Sequence, residues 1–405
     1  MPDDLPLSDV KVLDLMWVMA GPAAARILAD YGATVARVES TQRVDTARTM
    51  APFHGGTPGP DNSAFFQNLN AGKLGMTLDL SKEEGRAVLL DLVRWADVVC
   101  ESFSPKAMPA WGLDYQALRK VKPDIIMIST CLMGQSGPLS QFAGFGGLAA
   151  AYAGFYEITG WPDRPPAGPF GAYTDTIVPR FMAAAILAAL DHRRRTGEGQ
   201  YIDQAQAETA MHFLGPALLD ATVNGRVQSR IGNRDPQMAP HGVYPAAGDD
   251  RWVAIAVAND QQWEALCAVI ERPELARDER LSTVAGRLAH QDELDAAIAE
   301  WTEGYDAHEA EQALQQRGVP ASAVQDGSDL YADPQLAHRS HFTDVEHDTL
   351  GTIAVEGTHF RLSKTPARLG RAAPSYGQDN QHILESILGY ESERIAELAA
   401  QGILE

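Results

Sequence analysis

Short apolar runs alternate with helical stretches through the first 130 residues. Residues 10–15 are a β-branched and leucine run, Gly21-Pro22 interrupts it, and residues 23–31 read as a compact helix ending at Gly32. Residues 34–39 alternate apolar and polar positions as a second strand. This βαβ opening favours a parallel sheet. A strand at 75–80 leads into Ser81-Lys82-Glu83-Glu84, a capping box with Ser at the cap and Glu three residues on. The helix it starts runs to about Trp95. A strand at 98–101, a helix at 113–119 and a strand at 125–130 continue the series. The alternation predicts an α/β, doubly wound domain, whose ligands bind beyond the carboxyl ends of the strands.

The later pattern is more varied. Residues 138–174 are rich in Gly, Ala and aromatics, as in close helix packing with a long connection. A helix-forming block at 181–190 runs into Arg193-Arg194-Arg195 and the stop signal Thr196-Gly197-Glu198-Gly199. The cations suit the negative end of a helix dipole and the glycines suit its C-cap. Pro179 is best placed at the first helical position, which leaves Asp175 on the turn before the helix. Residues 200–203 read as a short strand and 205–219 as an apolar helix. The composition shifts near residue 225, and 224–242 reads as a linker. Residues 252–258 are the clearest buried strand of the second half, and Asn259 fits the N-cap of a helix beginning after it. Helical patterning with a solvated acidic face covers 274–315. β-like segments surround Gly351 and Gly357, and short helices at 380–388 and 391–398 close the chain.

Composition narrows the possible partners. A chain of 405 residues is too long for one ordinary core, so two domains are expected. The net charge of −21 argues against nucleic acid or an anionic membrane surface, and it requires a local basic pocket for any phosphate-bearing ligand. Cys100, Cys131 and Cys267 lie far apart without metal-type spacing, which fits a reducing cytosol and a cytoplasmic protein. The acidic start Met1-Pro2-Asp3-Asp4 shows no signal peptide, and no long apolar run suggests a membrane span.

Motifs alone name no reaction. No G-x-G-x-x-G follows the first strand, so Glu39 at the end of the second is weak evidence for a dinucleotide. There is no nucleophile elbow, metal-binding His-Glu pair or P-loop. The histidines, among them His192, His212, His241, His338, His341 and His359, are scattered, and no metal site is expected. Gly171-Ala172-Tyr173-Thr174-Asp175 holds a lone acid among small and aromatic residues. Its spacing fits a helix-entry acid satisfying backbone N–H groups, and it leaves Asp175 open as a candidate catalytic acid.

A resemblance goes further. Val12-Leu13-Asp14-Leu15, Ala20-Gly21-Pro22, Leu28-Ala29-Asp30-Tyr31-Gly32-Ala33 and Val38-Glu39 are followed in order by Asn70, Lys73 and Leu78-Asp79-Leu80. Gly134-Gln135-Ser136-Gly137-Pro138, Asp175, Arg195-Thr196-Gly197-Glu198-Gly199-Gln200, Gly232-Asn233 and Thr365-Pro366 come next. Together these resemble the class III CoA-transferases of the CaiB/BaiF type, the family of formyl-CoA and carnitine CoA-transferases, along nearly the whole chain.

The resemblance implies transfer of CoA from an acyl-CoA to a carboxylic acid, with Asp175 as covalent nucleophile and a CoA thioester as substrate rather than a resident cofactor. It places CoA contacts at Val18, Met19, Leu78, Ser102, Phe103 and Phe145, with Arg43, Arg48 and Lys73 as phosphate partners. It implies a Rossmann-like large domain built from both termini (1–200 and 326–405), a linker helix at 201–224, and a smaller α+β domain at 225–325. Two such chains are expected to interlock as a ring-like homodimer. Ala110 and Ala143 stand where the family shows Arg and Lys, and Pro179 where it shows Gly. Ala258-Asn259-Asp260 stands where the family has a glycine-rich loop. The 2-methylacyl-CoA racemases are a side branch that pairs the Asp with a His. Phe145 occupies that position here and cannot move a proton. Trp17, Phe155, Tyr156 and Trp161 fit either an apolar or aromatic acid substrate or ordinary core packing.

Overall fold

The structure, a computed structural model, describes residues 5–358 and 360–405. The four N-terminal residues and His359 lie outside them. The chain divides into two units. The larger takes the chain up to Phe155, then Gly168–Gly225 and Gln335–Glu405, and the smaller takes Tyr156–Ala167 and Arg226–Pro334.

The larger unit is built on six parallel strands: β1 (Lys11–Leu15), β2 (Thr34–Glu39), β3 (Leu74–Thr77), β4 (Val98–Glu101), β5 (Ile126–Cys131) and β6 (Tyr201–Ala205). Their order, β3-β2-β1-β4-β5-β6, reverses direction beside β1, which is where open sheets of this kind form a crevice. Alternate strand residues feed two cores. Leu13, Leu15, Ala36, Val38, Val99 and Met127 pack on one face, and Val12, Val35, Val98, Ile126 and Ile128 on the other. Burial on both faces is why these strands read as continuous apolar runs.

Among the described residues, ten α-helices precede the second unit's strands in the chain: α1 (Ala20–Asp30), α2 (Ala64–Asn70), α3 (Glu83–Trp95), α4 (Ala107–Ala110), α5 (Tyr115–Val121), α6 (Gly146–Ala153), α7 (Phe155–Ile158), α8 (Tyr173–Thr196), α9 (Gln206–Met211) and α10 (Gly215–Asn224). Helix α1 starts three residues earlier than the Gly21-Pro22 break suggests, because proline is tolerated in a first turn whose N–H groups have no intrahelical acceptor. The capping box at Ser81 does not form. Its hydroxyl donates to Asp79 Oδ1, Lys82 becomes the N-cap, and no side chain caps α3. The helix expected over 205–219 is divided into α9, a 3₁₀ turn and α10. By length and composition α8 could cross a membrane, yet Val178, Met182, Ala183, Ile186, Ala189 and Leu190 lie in the core beneath the sheet. A hairpin, Phe342–His347 with Gly351–Glu356, and a last helix, Ser392–Ala400, complete this unit.

The smaller unit holds an antiparallel sheet of His241–Pro245, Trp252–Ala256 and Ala321–Ala323. Helices pack on it through Trp263, Leu266, Leu294, Ile298 and Leu314. Asn259 caps the helix Asp260–Val269, accepting from Gln262 N–H at 2.9 Å.

Candidate active site

Helix α8 begins at Tyr173, so Asp175 sits inside its first turn rather than before it. Pro179 lies in the second turn, not at the start. Proline has no N–H to give the carbonyl four residues back, which is that of Asp175. Ala172 supplies no side-chain cap, and an acid in an uncapped first turn is favoured by the helix dipole.

The Asp175 side chain is buried. The Gly146 backbone N–H and the Gln206 side chain lie near its carboxylate and favour its ionised form. Gly146 is the first residue of α6, whose Phe145 N-cap likewise gives no side-chain cap, so an N–H at this terminus is available to Asp175. A β-carbon at Gly146 would lie 2.7 Å from Asp175 Oδ2, so only glycine admits this approach. Thr174 Oγ1 donates to Gly146 carbonyl at 3.1 Å and ties the two helix starts together. Burial pushes the Asp175 carboxyl up to about 6, against the lowering pull of Gly146 and Gln206. It is therefore ionised at neutral pH, poorly hydrated, and more basic than a surface aspartate.

Asp175 closes one end of a cavity of about 370 Å³ in the larger unit. Trp17, Val18, Met19, Ser102, Phe103 and Phe145 line it, with Cys131 and Gln206. These residues follow the carboxyl ends of β1, β4, β5 and β6, the crevice side of the sheet. Val18 has a φ of 65°, a strained conformation for a β-branched residue. Its N–H is held by Asp45 Oδ1 at 3.0 Å, and the Trp17 N–H by Ser102 Oγ at 2.9 Å. Asp45 is in turn clamped by the fully buried Arg37 at 2.5 Å. The strained turn aims Val18 and Met19 at the mouth of the cavity and delivers the start of α1, Ala20 and Gly21, into its wall.

The residues expected to meet CoA thus separate. Val18, Met19, Ser102, Phe103 and Phe145 come together around Asp175. Leu78 does not. Its side chain is 1% exposed and belongs to the core. Arg48 and Lys73 are not phosphate partners either, because both are fully buried and already paired. Arg48 forms a fork with Glu39, bonds Asp61 at 2.8 Å, and lies 3.7 Å from the centre of the Phe66 ring. Lys73 bonds Asp14 Oδ2, Asn70 Oδ1 and the Pro22 carbonyl at 2.8 to 2.9 Å. Arg43 is exposed on the loop after β2 and does not line the cavity. Glu39, a candidate for a ribose by its position, is taken by Arg48.

Sequence reading missed three contributors. Gln206 directly follows β6, so counting that strand end with the others would have found it. Gly146 and Asp45 carry no local signal, since their roles depend on partners 29 and 27 positions away in the chain.

The family model for CoA-transferase family III matches residues 7–380. The chain belongs to that family and is a CoA-transferase. It is 34% identical over 401 residues to a succinyl-CoA–D-citramalate CoA-transferase of Chloroflexus aurantiacus, covering 98% of each chain. It is 34% identical to a succinate–glutarate CoA-transferase of Agrobacterium fabrum, covering 94% of this chain and 96% of the relative. Among solved structures, a CaiB/BaiF family protein from Brucella suis superposes with a TM-score of 0.87 at 31% identity, over 95% of this chain and all of that one. The racemase alternative is not favoured, and the structure gives it no base at Phe145, which lies in the cavity wall beside Asp175.

Proposed function

We propose that this CoA-transferase exchanges CoA between an acyl-CoA and a carboxylic acid by covalent catalysis at Asp175. The supporting observation is a buried, ionised carboxylate lining a cavity, beside an N–H of a helix start and a side-chain amide. The Asp175 carboxylate attacks the thioester carbonyl of the donor and CoA thiolate leaves, giving an aspartyl–acyl anhydride. The thiolate then attacks the aspartyl carbonyl, forming aspartyl-CoA thioester and releasing the donor acid. The acceptor carboxylate attacks that thioester and expels thiolate, and thiolate attack on the acyl carbonyl of the new anhydride frees product and regenerates Asp175. A carboxylate needs no general base for this. The Gly146 N–H and the Gln206 amide are placed to stabilise the oxyanions that form on the aspartyl carbon.

The acids exchanged are dicarboxylic in this reading, because the C. aurantiacus and A. fabrum relatives are named for succinate, citramalate and glutarate. The aromatics give no support for an aromatic acid. Phe155 packs edge-on against Tyr173 in the larger unit, Tyr156 and Trp161 belong to the smaller unit, and of the four only Trp17 lines the Asp175 cavity. Coenzyme A enters as substrate, and the protein is cytoplasmic. The active form is an interlocked homodimer. Leu219 and Val223 on α10 are 63% and 75% exposed, a large apolar surface for a monomer to leave in water. Sedimentation should give twice the chain mass, and a monomer at micromolar concentration would refute the dimer.

Borohydride reduction during turnover tests the mechanism. It should cleave the aspartyl-CoA thioester and convert Asp175 to the alcohol, seen by mass spectrometry on the Tyr173–Arg180 segment. D175A should lose the modification and the transfer activity together. Retained transfer in D175A would sink the mechanism.

A further inference from the structure

Asp175 and Met19 form a wall shared by two cavities. Behind them lies a second one, about 270 Å³, enclosed by α1, α2, the first turns of α8 and the end of the hairpin strand Gly351–Glu356. All of its lining belongs to the larger unit. Its character is unlike that of the first. Where the first is lined by apolar and small polar side chains with no cation, the second presents Arg26, Arg180, Asp30, Asn68 and Glu356.

We propose that this second cavity receives the carbon chain of the acid, and that Arg180 pairs with the acid's far carboxylate and so selects dicarboxylates. The assignment rests on the transferase reading above and adds the residue that determines specificity.

The geometry supports it in three ways. An acyl group on Asp175 must extend away from the side that admits CoA, and the second cavity is the other space that Asp175 lines. Arg180 follows Asp175 on the same helix, and its Nη1 donates to the Thr176 carbonyl, which holds the guanidinium back toward the first turn. Five residues rise ~7.5 Å along the helix, and the fold toward Thr176 brings the guanidinium back to the nucleophile's turn. A guanidinium also offers a donor fork matched to a carboxylate.

Charge also fits. Arg26 is anchored by the carbonyls of Asn68 and Glu356. The Glu356 carboxylate accepts from Asn68 Nδ2 at 2.7 Å and faces His341 at 3.8 Å, and Asp30 Oδ2 lies 3.8 Å from Arg26 Nε. Asp30, pushed by burial to about 7, contributes a partial negative charge near neutrality. The cavity brings two guanidinium groups together, and donor forks of that kind match a carboxylate. Arg26 Nε and Asp30 Oδ1, both buried in this wall, have no hydrogen-bond partner among the described residues. A polar ligand or an ordered water satisfies such atoms.

The test compares acids of equal length with and without the second carboxylate. CoA transfer from a fixed donor is measured to succinate against butyrate, and to glutarate against pentanoate. The wild type should favour the dicarboxylates. In R180M the ratio of kcat/KM for succinate over butyrate should fall about 100-fold, through KM for succinate. In R180K, which keeps the charge and loses the fork, it should fall about tenfold, and this variant carries the test should R180M fail to fold. A ratio unchanged within threefold in both variants, or a parallel loss on both acids, would overturn the role of Arg180. A wild type that transfers CoA but does not prefer dicarboxylates would overturn it as well. A wild type that transfers CoA to none of these acids would instead count against the transferase reading.

Discussion

Asp175 is ionised at neutral pH, and the fold makes that state costly. Its folded pKa is raised to about 6 from 3.8, with burial as the main cause. Between those values the folded chain holds a proton that the unfolded chain has lost, so stability falls as pH rises through the window. Above pH 6 the full penalty is present, on the order of 1–3 kcal/mol after allowance for residual solvation. The neutral isostere should remove it. D175N is expected to unfold at higher urea than the wild type at pH 8, by about 1–2 kcal/mol, while having no transfer activity. At pH 4, where the wild-type carboxyl is itself protonated, the two should coincide. An equal or lower midpoint for D175N at pH 8 would show that the polar neighbours Gly146 and Gln206 outweigh the burial of the carboxylate.

At the scale of elements, the site is the meeting of two uncapped helix starts, α6 and α8, at the carboxyl edge of a parallel sheet. G146A tests how close that meeting must be. Its added methyl reaches within 2.7 Å of Asp175 Oδ2 and must displace the carboxylate or the helix. We expect kcat/KM to fall about 100-fold with CoA binding in the first cavity little changed, because a small misplacement of a reacting group carries that cost. Wild-type kcat/KM in G146A would mean the contact is slack.

The strands and their order of alternation with helices were legible in the sequence, because burial on both faces leaves continuous apolar runs such as those of β1, β4 and β5. The start of α8 was not. Pro179 pointed to position 179, and tertiary packing of Ile177 and Val178 extends the helix six residues further back. Arg48 and Lys73 misled for a related reason. A sequence displays charge but not burial, and their partners Glu39, Asp61 and Asp14 become neighbours only once the sheet is assembled. Asp175 itself stood out only through family resemblance, since an acid at a helix start has an ordinary capping role. Its raised pKa comes from burial, which no local pattern displays, and residues 146 and 206 pull it back down.

Over the whole molecule, several buried carboxyls share this behaviour. Glu101 and Asp30 are each raised to about 7, mainly by burial, and Asp175 to about 6. For each, the folded state binds more protons than the unfolded state between the ordinary carboxylate range and the raised value, so each lowers stability as pH climbs from about 4 to 7. The formal charge of −21 acts in the same direction, because self-repulsion grows as surface carboxylates ionise. Opposing them, the partly exposed Asp79 and Asp278 are shifted down by hydrogen bonds to Ser81 and Arg280, and they add little because solvent still screens them. The balance places the stability maximum on the acid side of neutrality. Thermal unfolding at fixed ionic strength should give a Tm at pH 6 several degrees above that at pH 8. The difference should shrink in a D30N/E101Q/D175N variant, which leaves the surface charge nearly intact. If the slope survives in that variant and disappears in high salt, surface repulsion alone produces it. A wild-type Tm that rises steadily from pH 6 to pH 8 would mean that the buried carboxyls stay ionised in the fold, which would remove the basis for treating Asp175 as a desolvated nucleophile.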